Sequence, residues 1–204
     1  MLEVIVHQMP TLVLLHGMGT GPEAWRPQIE AFSPSCRVLA PALKLDPDFS
    51  IAAEAARLWE LTDSNPVDVC GLSLGALIAL RAALDEPSRV RRLALCAGFA
   101  ALSRPLRALQ AVLGAAARLP GLDRGTVRGV FREGRRFDVS GELGRLTMPV
   151  LVLVGERDRA NRRLSRALAG QLPNAELRLV EGAGHVANLD APGPFNEALR
   201  SFFD

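Results

Sequence analysis

The chain has 204 residues, with 24 Lys or Arg against 22 Asp or Glu, a formal charge of +2, and 49% hydrophobic side chains. This is the composition of one globular domain with a sizeable core, which excludes disorder, a collagen-like repeat and a strongly basic nucleic-acid surface. No apolar run approaches the roughly 20 residues of a membrane span, and Glu3 stands where a signal peptide carries a basic residue, so a cytoplasmic protein with no membrane span and no nucleic-acid partner is expected.

In chain order, apolar β-branched and Leu-rich runs predict strands over residues 2–7, 11–15, 37–40, 67–70, 90–96, 150–154 and 176–180. Helical spacing predicts helices over 23–32, 51–62, 74–84, 164–172 and 194–203, with Ser50 as the N-cap of the second and Pro87 following the third. Strands that are apolar almost throughout and alternate with helices describe a doubly wound α/β fold with a mostly parallel sheet of about seven strands. Only a few residues join 2–7 to 11–15, too few for a parallel crossover, so that pair is expected as an antiparallel hairpin at one edge.

Roughly fifty residues separate Cys96 from Val150, several times the usual connection. Within this stretch Leu102, Leu106, Leu109 and Leu113 fall at helical spacing, and Val127, Val130 and Phe131 predict a second, shorter helix after the Pro120-Gly121 break. Residues 99–147 are therefore read as a small helical lid inserted into a single domain spanning 1–204. Cys36, Cys70 and Cys96 show no C-x-x-C pair and no His at metal spacing. They are read as reduced core thiols, with no metal and no cofactor implied.

The sharpest signal is Val67-Asp68-Val69-Cys70-Gly71-Leu72-Ser73-Leu74-Gly75-Ala76, a strand running through G-x-S-x-G into a helix. In such a turn the serine takes positive φ, and side-chain-poor neighbours let strand and helix approach. Upstream, Thr11-Leu12-Val13-Leu14-Leu15-His16-Gly17-Met18 is a strand ending in a Gly-flanked loop, followed by the helix that carries Trp25. Acyl transfer through a serine needs two donors aimed at the oxyanion, and the N–H groups of Leu74 and Met18 are placed to supply them. Gly17, Met18 and Trp25 are the expected substrate-binding residues, and His16 is read as a turn residue that shapes its loop by hydrogen bonding.

A serine needs a base, and the base needs an orienting carboxylate. The strand 150–154 runs into Gly155-Glu156-Arg157-Asp158, and the strand 176–180 into Glu181-Gly182-Ala183-Gly184-His185. The order Ser73, Asp158, His185 is the chain order that goes with this elbow. Glu156 is the rival carboxylate.

With these four motifs in order over nearly the whole chain, the sequence resembles the α/β-hydrolase superfamily, in its lid-bearing esterase and C–C hydrolase branch. The resemblance implies Ser73 as nucleophile, His185 as general base and then acid, Asp158 as the orienting acid, and the Met18 and Leu74 amides as the oxyanion hole. It implies hydrolysis of an ester, thioester or lactone through an acyl-enzyme, in a monomer or homodimer. The same residues also serve C–C cleavage, elimination or perhydrolysis in relatives, and a binding protein on a hydrolase scaffold is the alternative of another class. Against the family pattern, the loop after residues 37–41 reads Ala42-Leu43-Lys44-Leu45-Asp46-Pro47 and is shortened. The N-terminal strands and the lid are likewise brief.

Residues 99–147 hold nine Arg, at 104, 107, 118, 124, 128, 132, 135, 136 and 145, against Asp123, Glu133, Asp138 and Glu142. The insertion is then about +5 and the remainder about −3 by the same formal counting. These arginines are read as solvated faces of amphipathic helices, the alternative being a cover that favours anionic acyl substrates.

Overall fold

A computed structural model describes residues 9–203. Its sheet has six parallel strands: β1 (Thr11–Leu15), β2 (Arg37–Leu39), β3 (Val67–Leu72), β4 (Val90–Cys96), β5 (Val150–Gly155) and β6 (Ala175–Val180), in the spatial order β2-β1-β3-β4-β5-β6. The eight α-helices of the described residues are α1 (Arg26–Phe32), α2 (Ile51–Glu60), α3 (Leu74–Asp85), α4 (Arg104–Ala116), α5 (Arg124–Arg136), α6 (Arg159–Ala169), α7 (Ala187–Asp190) and α8 (Pro192–Phe203).

The central strands β1, β3, β4 and β5 are buried at nearly every residue because both faces of the sheet are covered there, whereas the edge strands β2 and β6 are partly exposed. Their side chains divide by the strand period of two. Val13 and Leu15 of β1, Val69 of β3, Leu93 and Leu95 of β4 and Val152 of β5 join α2, α3 and α6 in one core layer. Leu12, Leu14, Cys70, Leu72, Ala94, Cys96, Leu151 and Leu153 point the other way, onto Trp25, Phe32, Phe195 and Leu199 of the α1 and α8 side. α3 is hemmed in so fully that ten of its twelve residues are buried, and those ten are apolar or glycine, Arg81 and Asp85 being the two that are not buried.

Three expectations need correction. β1 does not lie at an edge, because β2 and β3 occupy both of its hydrogen-bonding sides. The expected strand 2–7 itself falls outside the described residues. The second helix of the insertion is not shorter than the first. Both span 13 residues, because Asp123 caps α5 by accepting the N–H groups of Gly125 and Thr126 and so starts the helix well before Val127. Finally, α6 begins at Arg159, five residues earlier than the apolar spacing indicates, and α7 was not foreseen.

The strand order reverses between β1 and β3, since the chain leaves β1 for β2 on one side and continues from β3 to β4 on the other. A crevice outside the carboxyl ends of strands at such a switch point is where open α/β sheets bind ligands. Gly17 and Met18 follow β1, and Ser73 follows β3. No helix of the described residues is long and apolar enough to cross a membrane.

Candidate active site

Ser73 lies between β3 and α3 with φ 53° and ψ −110°, one of two non-glycine residues at positive φ among the described residues. That conformation is costly and persists only where the surroundings enforce it. Here they do: the Ser73 N–H donates to the carbonyl of Cys96 at 2.8 Å, pinning the turn to the end of β4. A Cβ on Gly71 would come within 2.2 Å of the Gly75 carbonyl oxygen, and one on Gly75 within 2.0 Å of the Leu15 carbonyl oxygen. Strand, helix and the β1 loop therefore meet backbone to backbone, which no other residue at those two positions permits.

His185 stands across from the serine. Its Nε2 is 3.1 Å from Ser73 Oγ and its Nδ1 is 2.7 Å from Asp158 Oδ2. With Nδ1 protonated, the ring donates to the carboxylate and Nε2 accepts the serine proton. Asp158 is buried while His185 is about half exposed, so the carboxylate is held from beneath and the ring faces the cleft. Burial pushes the Asp158 carboxyl up, but hydrogen bonds from His185 and Asn161 outweigh it and leave the group below its ordinary range. Glu156, the rival acid, instead accepts the N–H of Gly182 and makes no contact with the imidazole.

Asn161 is the residue that sequence reading missed. Its Nδ2 lies 3.0 and 2.8 Å from the two Asp158 oxygens and 3.2 Å from His185 Nδ1, and its backbone N–H also reaches Asp158 Oδ1. The acid is thus also the N-cap of α6, with an amide one turn into the same helix. The signal for it was D-x-x-N directly after a buried strand, where a capping reading would have started the helix at Arg159.

A cavity of about 290 Å³ opens beside Ser73 and His185. Met18, Leu74 and Leu77 form part of its wall, as do Ala97 and Phe99 after β4 and Asn161 of α6. Gln110 of α4, Leu119, and Val130 and Phe131 of α5 line its other side. Leu74 is the first residue of α3, so its N–H has no acceptor within the helix, and the positive end of the helix dipole points the same way.

Two of the expected binding residues are placed differently. Trp25 does not reach the cavity: it is fully buried on the opposite side of the sheet against Phe195. The strand-to-helix loop turns the indole under the α1 and α8 layer, where so large an apolar ring has more surface to bury than in an open cleft. Gly17 is buried and backs onto Ser73, where an added Cβ would be 3.6 Å from Ser73 Cβ, so it supports the site from behind. His16 has the structural part expected of it. Buried, its Nδ1–H donates to the Gly17 carbonyl at 2.8 Å and its Nε2 accepts the N–H of Leu43 at 3.2 Å, tying the β1 loop to the shortened loop after β2.

The three cysteines are buried and free, and burial raises the pKa of each, as it does for thiols far from nucleophilic use. Among the described residues no three His, Cys, Asp or Glu side chains converge as metal ligands.

The sequence profile of the alpha/beta hydrolase family matches residues 12–198. Among similar proteins is the "Putative carbamate hydrolase RutD" of Pseudomonas syringae, 29% identical and covering 95% of this chain and 93% of its own. The (E)-2-((N-methylformamido)methylene)succinate hydrolase of Acinetobacter baylyi is 25% identical over 95% of this chain and 90% of its own. Among solved structures, a hydrolase from Pseudomonas aeruginosa superposes with a TM-score of 0.85 at 23% identity, over 95% of this chain and 89% of that one.

Proposed function

The chain belongs to the α/β-hydrolase family, and from that footing we propose that it is a serine hydrolase that cleaves a carboxylic ester, thioester or lactone through an acyl-enzyme. The observation that carries this reading is the continuous relay from Ser73 Oγ through His185 to a buried, ionised Asp158, set at the mouth of an apolar cavity.

Ser73 Oγ attacks the carbonyl carbon while its proton passes to His185 Nε2, and the carbonyl electron pair moves onto oxygen. The N–H groups of Met18 and Leu74 hold that oxyanion with dipoles already fixed by the backbone. Asp158 stabilises the imidazolium. Collapse of the intermediate expels the alcohol or thiol, which takes the proton from His185. Water then adds to the acyl-serine, giving its proton to His185. The second collapse returns a proton to Ser73 and frees the acid. Residues 99–147 act as a lid in this scheme, since Gln110, Leu119, Val130 and Phe131 roof the pocket. A cavity of about 290 Å³ favours short acyl groups over long chains.

A carbamate or amide carbonyl passes through the same intermediate, and two relatives matched over 95% of this chain are named for such substrates. Both readings are separated by one experiment. Fluorophosphonate labelling and turnover of p-nitrophenyl esters and carbamates are measured in the native chain and in Ser73→Ala. Stoichiometric labelling that disappears in the variant is expected, with ester turnover exceeding carbamate turnover. Labelling that persists in Ser73→Ala rejects the nucleophile, and labelling without turnover of either series points to a binding protein.

A further inference from the structure

The four acids between residues 99 and 147 are all committed away from Arg128, Arg132 and Arg135. Asp123 caps α5, Glu133 accepts the N–H of Ile51, Asp138 pairs with Arg107 and Ser140, and Glu142 pairs with Arg81 and Arg145. Of the seven arginines of this stretch that no acid pairs with among the described residues, Arg128, Arg132 and Arg135 line one cleft. They stand one turn apart along the side of α5 that lines a cleft between α4 and α5, and no carboxylate among the described residues pairs with any of them.

The cleft holds about 280 Å³. The residues of α4 that line it are small, Ala111 and Ala115 beside Gly114, which packs directly on Phe131 of α5. Arg132 Nη2 donates to the Pro47 carbonyl, which fixes one guanidinium, while Arg135 Nε is buried with no hydrogen-bond partner among the described residues. A buried guanidinium donor without an acceptor is costly, and an anion is the group that meets both its charge and its geometry.

Gln110 and Phe131 line this cleft and the pocket beside Ser73 alike, so the two share a wall. We propose that the cleft is a subsite for the anionic end, carboxylate or phosphate, of a substrate whose reacting carbonyl sits at Ser73. The proposal rests on the serine-hydrolase reading and names its substrate class: an ester or thioester bearing a negative charge some distance from the scissile bond. Arg107 and Arg118 do not take part, since Arg107 is held by Asp138 and the Leu102 carbonyl, and Arg118 by the Ala116 and Ala117 carbonyls.

The test compares kcat/KM for two anionic series with neutral isosteres. One series is p-nitrophenyl hemiesters of dicarboxylic acids of increasing length, with charge on the acyl side. The other is acyl esters of hydroxyalkyl phosphates, with charge on the alcohol side. The native chain is expected to prefer one anionic series over its isosteres, and the series preferred identifies carboxylate or phosphate. Arg128→Gln and Arg135→Gln should each lower the ratio of anionic to neutral kcat/KM about five- to tenfold, between the worth of an exposed ion pair and that of a charged hydrogen bond. Arg128→Glu should lower it further. Arg104→Gln removes one positive charge from the same insertion outside the cleft and should leave the ratio in place. A native chain with no anionic preference, or a ratio that Arg128→Gln and Arg135→Gln do not change more than Arg104→Gln, overturns the subsite. Ser73-dependent fluorophosphonate labelling in those same proteins shows whether the hydrolase reading stands when the subsite falls.

Discussion

Gly155→Ala tests whether the histidine is held in place by backbone contact. A Cβ at this last residue of β5 would lie 2.0 Å from the Gly184 carbonyl oxygen and 2.6 Å from that of Ala183. Cβ atoms essentially never come closer than 3.0 Å to such an atom, so one side must retreat by about 1 Å, and no side-chain rotation can relieve it. β5 is the more constrained partner, flanked by β4 and β6 and buried at every residue. The loop therefore moves, and the residue after Gly184 is His185. A displacement of that size takes Nε2 out of its 3.1 Å contact with Ser73 Oγ. Misplacement by about 1 Å costs on the order of 100-fold in rate.

Overpacking of this kind destabilises by about 1–3 kcal/mol, and each kcal/mol lowers Tm by about 2–4 °C in a chain of this length. The assay is kcat on a short p-nitrophenyl ester beside a thermal melt. Gly193→Ala, at a position with nothing within 4 Å of the added atom, is the control and should be neutral or stabilising. A Gly155→Ala protein with a lowered Tm but an unchanged kcat would show that the loop does not carry His185 with it, and would refute the reasoning.

Three further outcomes are expected. Asp158→Asn should lose about 10⁴-fold in kcat, as an amide at this position favours the wrong imidazole tautomer, whereas Glu156→Gln should retain native kcat because its carbonyl can still accept the Gly182 N–H. Asn161→Leu removes two contacts to Asp158 and leaves burial opposed by fewer donors, so the carboxyl pKa rises. A carboxyl with a depressed folded-state pKa adds stability above its unfolded pKa and loses it as pH falls through the folded value, so acid unfolding of Asn161→Leu should begin at higher pH, with about 1–3 kcal/mol lost near neutrality, read by circular dichroism. Ser50→Ala removes the cap that accepts the Ala53 N–H at the start of α2 and should cost about 1 kcal/mol in chemical denaturation with kcat unaltered.

The parallel strands were legible because each is a short, largely apolar run, unbroken by charge in β1 and β5, and β1 and β4 fall at their expected bounds. Ser73, Asp158 and His185 were legible for a related reason: each follows such a run, so its place at the carboxyl edge comes with the topology. What stayed hidden depends on contacts between distant segments. Trp25 ends the short 3₁₀ helix Pro22–Trp25 next to the site in sequence, yet the direction of its side chain is decided by Phe195, 170 positions away. Leu119 and Phe131 reach the pocket only because Gly114 lets α4 and α5 close together, where an added Cβ would stand 2.6 Å from Phe131 Cβ. Asn161 was within reach, had Asp158 been read as a cap as well as an acid.

That double use of Asp158 bears on how the site keeps its geometry. An orienting carboxylate must stay ionised, immobile and aimed at His185, although burial favours its neutral form. Here the first turn of α6 supplies the Asn161 N–H from the backbone and two further contacts from the side chain, while the opposite side faces the imidazole. The groups that hold the charge also start the helix, so the carboxylate cannot rotate without uncapping α6. The insertion divides in a similar way. α5 is fastened to the body through Arg132 to Pro47 and Glu133 to Ile51, whereas α4 packs chiefly on α5 and leaves Leu109, Val112 and Leu113 exposed. Of the two helices, α4 has less to break in moving, and it carries Gln110 into the wall shared by the pocket and the arginine cleft. Entry past Gln110 would therefore open both chambers at once, which suits a substrate with its carbonyl in one and its charge in the other.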